Sequence, residues 1–422
     1  MNRITELSNG VRVVTAPMPH MESVALGVWI GVGGRYESKR LCGISHFIEH
    51  LLFKGTTRRS AKQISQTVEG VGGYLNAFTG EESTCFYAKA SYRHLDILLD
   101  VIGDMYLHPK FAVADIDKER RVIKEELLMY RDQPDHYVHE LLTETLWPDH
   151  PLGRSLAGTP ASLDGIVRAT LLDFKRRSYS AGNTIVAVAG HCEHDDIVAR
   201  VEQMLPVARA ARPPRFEPAR DGQRRARLRF LSKAVEQTHL AIAVRGFSRH
   251  DPRRYALKLA SVILGENMSS RLFQTIREKH GLAYSIQSST SYFSDTGALV
   301  ISAGLDTKRL PKALRLVLQE LGKLAKRPPS AEELRRAKDY AIGQMRLGLE
   351  STSNQMMWIG EHLLAYGFVQ SPDEIEAKIE AVTTDQIQEV AAAIFRNNRL
   401  NVAVITPSKD ERGVSELLHF EL

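Results

Sequence analysis

The chain has 422 residues, with 56 Lys+Arg against 50 Asp+Glu, a formal net charge of +6, 43% hydrophobic and 25% charged residues. At about 150 residues per domain that length predicts two to three domains, and the composition excludes extensive disorder, collagen-like repeats and a small disulfide scaffold. No apolar run approaches the ~18 residues that span a bilayer, and the N-terminal Met-Asn-Arg-Ile-Thr-Glu-Leu-Ser has no signal-like apolar core, so a cytoplasmic protein without a membrane partner is expected.

In chain order, Val11 to Thr15 and Ser23 to Ile30 are rich in β-formers, and Ile44, Phe47, Ile48, Leu51 and Leu52 then recur at helical spacing. Ala61 to Val71 reads as a second helix. Tyr74 to Thr79 and Thr84 to Ser91 alternate as strands, with Thr84, Phe86 and Ala88 on one face. A helix near 93–106 precedes a long one from Val113 that Pro134 is expected to interrupt, because proline removes a helix donor. A helix near 171–179, a strand at 184–189 and a helix near 195–205 close this half.

The second half repeats the order. A strand at 238–245 precedes helices near 253–264 and 270–280, strands at 283–289 and 297–304, helices near 308–325, 331–350, 354–366 and 384–395, and a closing strand Asn401 to Ile405. Two copies of one strand-and-helix unit are therefore expected, at 1–208 and 226–422. Residues 209–225 between them form a Pro- and Arg-rich connector that cannot make a regular ladder. Neighbouring hairpins with helices predict an α+β class, each half a mainly antiparallel sheet packed with helices. Cys42, Cys85 and Cys192 have no metal-site or disulfide spacing and read as buried thiols.

The sharpest local feature is His46-Phe47-Ile48-Glu49-His50. Positions i and i+4 share a helix face, so both imidazoles can meet one ion, with Glu49 beside them to reach a water. This inverts the His-Glu-x-x-His zinc motif. The competing reading is a helix with surface histidines and a solvated glutamate. A catalytic zinc needs a third protein ligand, and the helix after Val113 offers Glu119, Glu125 and Glu126. Seven residues return within about 20° of the starting direction, so Glu119 and Glu126 share a face. Periodicity does not choose between a ligand with a supporting carboxylate behind it and an acid-rich solvated side. His136, His139 and Glu140, and separately His191, Cys192 and His194, are weaker candidate clusters.

Gly43-Ile-Ser-His46-Phe-Ile-Glu49-His50-Leu-Leu-Phe-Lys54-Gly55-Thr56 resembles the zinc helix of the pitrilysin/insulinase family of inverzincin metallopeptidases, especially its processing-peptidase-like branch. The resemblance extends to Gly72-Gly73-Tyr-Leu-Asn76-Ala77-Phe78-Thr79, Val122-Ile-Lys-Glu125-Glu126-Leu and His150-Pro-Leu-Gly153-Arg154-Ser-Leu-Ala-Gly158-Thr159. It continues into the second half at Met268-Ser-Ser-Arg271-Leu-Phe-Gln-Thr-Ile-Arg277-Glu-Lys-His-Gly281-Leu-Ala-Tyr284, and so covers essentially the whole chain.

What the resemblance implies is specific. One zinc per chain would be held by His46, His50 and Glu126, the last at the family's spacing after the second histidine, with Glu119 supporting a histidine. Glu49 would be the general base, Arg277 and Tyr284 would meet the substrate and its oxyanion, and Asn76, Ala77 and Phe78 would form an edge strand that pairs with an extended peptide. The halves would close as a clamshell around unfolded peptides. A homodimer is favoured over a divided heterodimer, since this chain carries both the zinc set and the Arg/Tyr set; a paralogous subunit and a non-catalytic scaffold subunit of the same fold are the alternatives. The second half has no His-x-x-Glu-His, and roughly Gln344 stands opposite Glu126 in the repeat. One departure concerns specificity. The acidic pair with which mitochondrial processing relatives select a basic residue falls on His136 and Glu140, so general oligopeptide cleavage is expected instead.

The charge excess is local. Residues 209–229 hold Arg209, Arg212, Arg215, Arg220, Arg224, Arg225, Arg227 and Arg229 against Glu217 and Asp221, while the rest of the chain balances. With only Phe216 and Phe230 as aromatics there, a solvated hinge is expected and a nucleic-acid partner is not.

Overall fold

The computed structural model describes residues 2–205 and 214–420; Arg209 and Arg212 of the connector lie outside the described residues. The strands are β1 Arg3–Glu6, β2 Arg12–Pro17, β3 Ser23–Ile30, β4 Tyr74–Thr79, β5 Thr84–Ser91, β6 Thr184–Gly190, β7 Arg227–Ser232, β8 Thr238–Arg245, β9 Ala283–Tyr292, β10 Gly297–Leu305 and β11 Asn401–Thr406. The helices are α1 Ile44–Leu52, α2 Ala61–Glu69, α3 Leu95–Leu107, α4 Val113–Asp132, α5 Pro134–Leu146, α6 Pro160–Gly165, α7 Arg168–Ser178, α8 His194–Met204, α9 Arg254–Gly265, α10 Leu310–Lys326, α11 Ala331–Gly348, α12 Thr352–Tyr366, α13 Pro372–Glu380, α14 Thr384–Ile394 and α15 Glu411–Ser415. A π-helical segment, Phe273–Lys279, precedes β9. Pro134 does end the long helix: Gln133 before it is extended, as the proline ring demands of its predecessor, and Pro134 opens α5 where no intrahelical donor is needed.

The chain divides into two compact units, Met1–Leu127 with Arg154–Glu217 and Arg346–Gln370, and Leu128–Gly153 with Pro218–Met345 and Ser371–Leu422. The linear halves at 1–208 and 226–422 therefore do not describe the packing, because each unit takes one segment from the other half. In the first unit the sheet order is β1-β2-β6-β3-β5-β4; in the second it is β7-β11-β8-β10-β9. Leaving out β1, the orders correspond strand for strand. Each sheet also has one parallel pair in the same place, β2 with β6 and β7 with β11, and is otherwise antiparallel. That correspondence is the repeat expected from the order of elements, and the class is α+β.

One face of the first sheet, with Leu26, Val28, Ile30, Phe86 and Val186, packs against α1, α3 and α8. The other presents small residues, Ala16, Ala25, Ala187 and Ala189, which lets Met356, Ile359 and Leu363 of α12 sit close upon it. The second sheet is covered in the same manner. Leu240, Ile242 and Val402 meet α9, α10 and α14, while Ala241, Ala243, Ala403 and Ile405 receive Val138, Leu141, Leu142 and Leu146 of α5.

The described part of the connector is mostly exposed, Arg215, Arg220, Arg224 and Arg225 included, but it is anchored at separate points. In the first unit the Arg35 guanidinium lies 3.9 Å from the Phe216 ring centroid, and Arg35 Nη2 donates to Glu217 O at 3.1 Å. In the second, Gln223 is buried and its amide donates to Leu400 O at 3.0 Å. The arginines bracket these anchors, and Arg227 and Arg229 belong to β7. Strand β7 was not expected: every second residue from Arg225 to Arg229 is arginine, which masks the alternation, but β7 is an edge strand with only β11 beside it.

Candidate metal centre and active site

The site begins with the seating of α1. Its buried face is Ile44, Phe47, Ile48, Leu51 and Leu52, as the 3.6-residue period requires, and this turns His46, Glu49 and His50 away from the core. Gly43 precedes the helix at φ +90°, where a Cβ would lie 2.8 Å from Ala157 O and from the Gly158 Cα, so two backbones meet where only glycine fits. No side chain at Gly43 can cap the helix. Glu37 does so from six residues upstream: its carboxylate accepts from Gly43 N at 2.6 Å and from Ser45 N at 2.8 Å, and it is buried. Burial pushes the Glu37 carboxyl up to about 7, against the pull of those two N–H groups.

Helix α4 supplies the third arm. Glu126 Oε2 lies 3.6 Å from His50 Nε2 and 3.9 Å from His46 Nε2, with the imidazole centroids 4.5 Å apart. These three residues form the only group of three or more His, Cys, Asp or Glu suited to a metal among the described residues, their ligand atoms all within 4.8 Å of one another. A tetrahedral zinc with bonds of about 2.1 Å needs donors about 3.4 Å apart, so small side-chain adjustments would close the set. Two imidazoles and one carboxylate are a catalytic-zinc donor set. Burial first, then the neighbouring His50, holds His46 down to about 4, which leaves its imidazole neutral and able to donate a lone pair near neutrality.

Behind the cluster, Glu119 Oε2 lies 3.2 Å from His50 Nδ1, and Glu119 Oε1 is 2.9 Å from Lys54 Nζ. Glu119 is 1% exposed. Glu125, one position from Glu126, takes no part in the cluster. Glu49 lies one residue before His50, and its Oε2 accepts a hydrogen bond from the Thr79 hydroxyl at 2.5 Å. Burial raises the Glu49 carboxyl above the ordinary carboxylate range; Thr79 and His50 oppose that, and Glu126 adds to it.

Thr79 ends β4, which pairs with β5 alone and so forms an edge of its sheet. Asn76 and Phe78 are exposed and Ala77 is half-buried; Asn76 Oδ1 accepts from Ala77 N at 2.8 Å, and Phe78 packs edge-on against Trp29. In the other unit, Tyr284 in β9 is 78% exposed, with the Arg277 guanidinium 5.6 Å from its ring centroid. Two of the competing histidines are otherwise engaged: both nitrogens of His194 meet threonine hydroxyls at 2.8 Å, Thr5 and Thr15, and His191 stacks on Tyr92. Sequence reading assigned no role to Glu37, Lys54 or Thr79. Lys54 and Thr79 stand in family-like stretches, whereas Glu37 caps over a longer span than local capping patterns cover.

Residues 12–160 match the family model "Insulinase (Peptidase family M16)", and residues 165–340 match "Peptidase M16 inactive domain". An uncharacterised zinc protease of Streptomyces coelicolor is 36% identical over 417 residues, covering 97% of this chain and 91% of its own. The chain belongs to the insulinase family of peptidases, M16. An uncharacterised zinc protease of Bacillus subtilis is 35% identical over 406 residues, covering 95% of this chain and 97% of its own. A protease from Helicobacter pylori of known structure has the same fold, with TM-score 0.90 at 22% identity, covering 96% of this chain and all of that one. Its M16 relatives are thus named zinc proteases, in keeping with a His-His-Glu centre. No described helix is long and apolar enough to cross a membrane.

Proposed function

We propose that this M16 member is a zinc metalloendopeptidase acting on extended, unstructured peptides, with one zinc held by His46, His50 and Glu126. The observation that carries this reading is the meeting of two α1 imidazoles and one α4 carboxylate, with an unligated carboxylate, Glu49, on the same helix. Zinc bound there would supply a Lewis acid for the scissile carbonyl and lower the pKa of a water.

The protein residues divide the remaining work. Glu49 takes the proton from the attacking water and passes it to the leaving amine, a role open to a carboxylate that stands on the same helix as the two imidazoles and outside the ligand set. Glu119 accepts from His50 Nδ1–H, which fixes the tautomer that leaves Nε2 free to ligate. The unpaired edge of β4 offers backbone N–H and C=O groups to a peptide in extended conformation, which selects shape with little regard to sequence. We also propose that Tyr284 and Arg277, both exposed in the second unit, stabilise the oxyanion. We further propose a cytoplasmic homodimer.

The test is cleavage of an unstructured peptide with and without a chelator, beside Glu49→Gln. Chelator-sensitive cleavage by the wild type is expected, and Glu49→Gln should keep its zinc and lose at least about 100-fold in kcat. A variant that binds zinc and cleaves at the wild-type rate would exclude Glu49 as the base. A wild type that binds no zinc would leave a scaffold subunit as the better reading.

A further inference from the structure

We propose that Thr79 is a positioning residue for Glu49, its hydroxyl fixing the carboxylate so that one oxygen is committed to Thr79 and the other is presented to the water. The proposal rests on the peptidase reading above. Among the described residues, the Thr79 hydroxyl is the only hydrogen-bond donor to the Glu49 carboxylate. A glutamate on a helix surface otherwise has several staggered rotamers open to it, and only some would point the carboxylate at a substrate. The donor is itself well fixed. Thr79 is β-branched, so its χ1 is restricted, and its backbone is registered opposite Thr84 at the closed end of the β4–β5 hairpin. Gly80 N donates to Ser83 O across the turn at 2.8 Å, and the buried Thr84 hydroxyl donates to Val32 O at 2.9 Å.

The placement of Thr79 gives this bond a second consequence. It lies on the edge strand that would pair with an extended peptide, so the strand that registers the peptide backbone also holds the base. Backbone register and base position are thereby set by one element. A sub-ångström shift of β4 would move both together.

The test uses full-length protein, zinc-loaded, with an unstructured fluorogenic peptide, and compares Thr79→Val, Thr79→Ser and Glu49→Gln. Valine keeps the β-branched shape and strand preference without the hydroxyl. Thr79→Val should lower kcat about 10- to 100-fold while KM and bound zinc stay within about twofold, and Thr79→Ser should recover most of the loss. In the Glu49→Gln background, Thr79→Val should add less than about twofold, because the hydroxyl acts through the carboxylate. Unchanged kcat in Thr79→Val, zinc loss in parallel with activity, or failure of serine to restore the rate would each overturn the proposal. If the wild type cleaves nothing, the peptidase reading fails by itself. Crystal structures of wild type and Thr79→Val then decide the positioning: a Glu49 side chain turned to a new rotamer upholds it, and an unchanged one overturns it.

Discussion

Glu119 Oε2 stands 3.2 Å behind His50 Nδ1, on the side of the imidazole away from Glu126. Glu119→Gln keeps an acceptor for the imidazole and removes the charge that Lys54 faces. Zinc affinity, measured by competition with a fluorescent chelator, should fall about tenfold, within the range for outer partners of ligating histidines. Unchanged affinity would mean that the Glu119 charge contributes nothing to metal binding.

Zinc should stabilise the fold, because the three ligand atoms come together only in the native chain. At free zinc 1,000-fold above its dissociation constant the gain is about 4 kcal/mol, visible as a rise in the melting temperature of metal-free protein. Glu126→Gln should abolish most of that rise. A variant that retained it would point to a different third ligand.

Glu37 predicts an unusual pH dependence. Its folded pKa of about 7 lies above the unfolded carboxylate value, so between the two the native state binds more protons than the unfolded state. Its contribution to stability is therefore fully present below the unfolded value and is lost as pH rises through about 7. Relative to Glu37→Gln, the wild type should lose about 3 kcal/mol between pH 4 and pH 8, measured by urea unfolding. A difference that is flat or grows with pH would contradict this assignment.

Asp104 secures the turn that follows α1. Its buried carboxylate accepts from the Thr56 hydroxyl at 2.6 Å, Arg59 Nη1 at 2.8 Å and His108 Nδ1 at 3.1 Å. Asp104→Ala leaves a buried hydroxyl without its acceptor and should destabilise the protein by about 3 kcal/mol in denaturant unfolding. A loss below about 1 kcal/mol would show that water replaces the carboxylate there.

The sequence by itself determined the local parts. The spacing of His46 and His50 places both imidazoles on one face because the α-helix has 3.6 residues per turn, and the apolar residues between them decide which face is buried. A run of β-formers gives β3, alternation gives β4 and β5, and the proline ring stops α4 and restarts the chain as α5. The reading of Glu126 as a ligand with Glu119 behind it, rather than as part of an acid-rich solvated side, came from family resemblance, since periodicity left it open. Tertiary structure alone decided the distant pairings. Glu37 reaches the amides of α1 over a span that local capping patterns do not cover, and Thr79 meets Glu49 only because α1 and β4 pack in one unit. Tertiary structure likewise sent α5 to the second sheet and α12 to the first, against their order in the chain. The physical reason is that an amphipathic stripe shows that a helix must cover something apolar, but not which sheet. Only the small residues of Ala241, Ala243 and Ala403, or of Ala16, Ala25 and Ala187, set side by side by strand order, make the surface that accepts it.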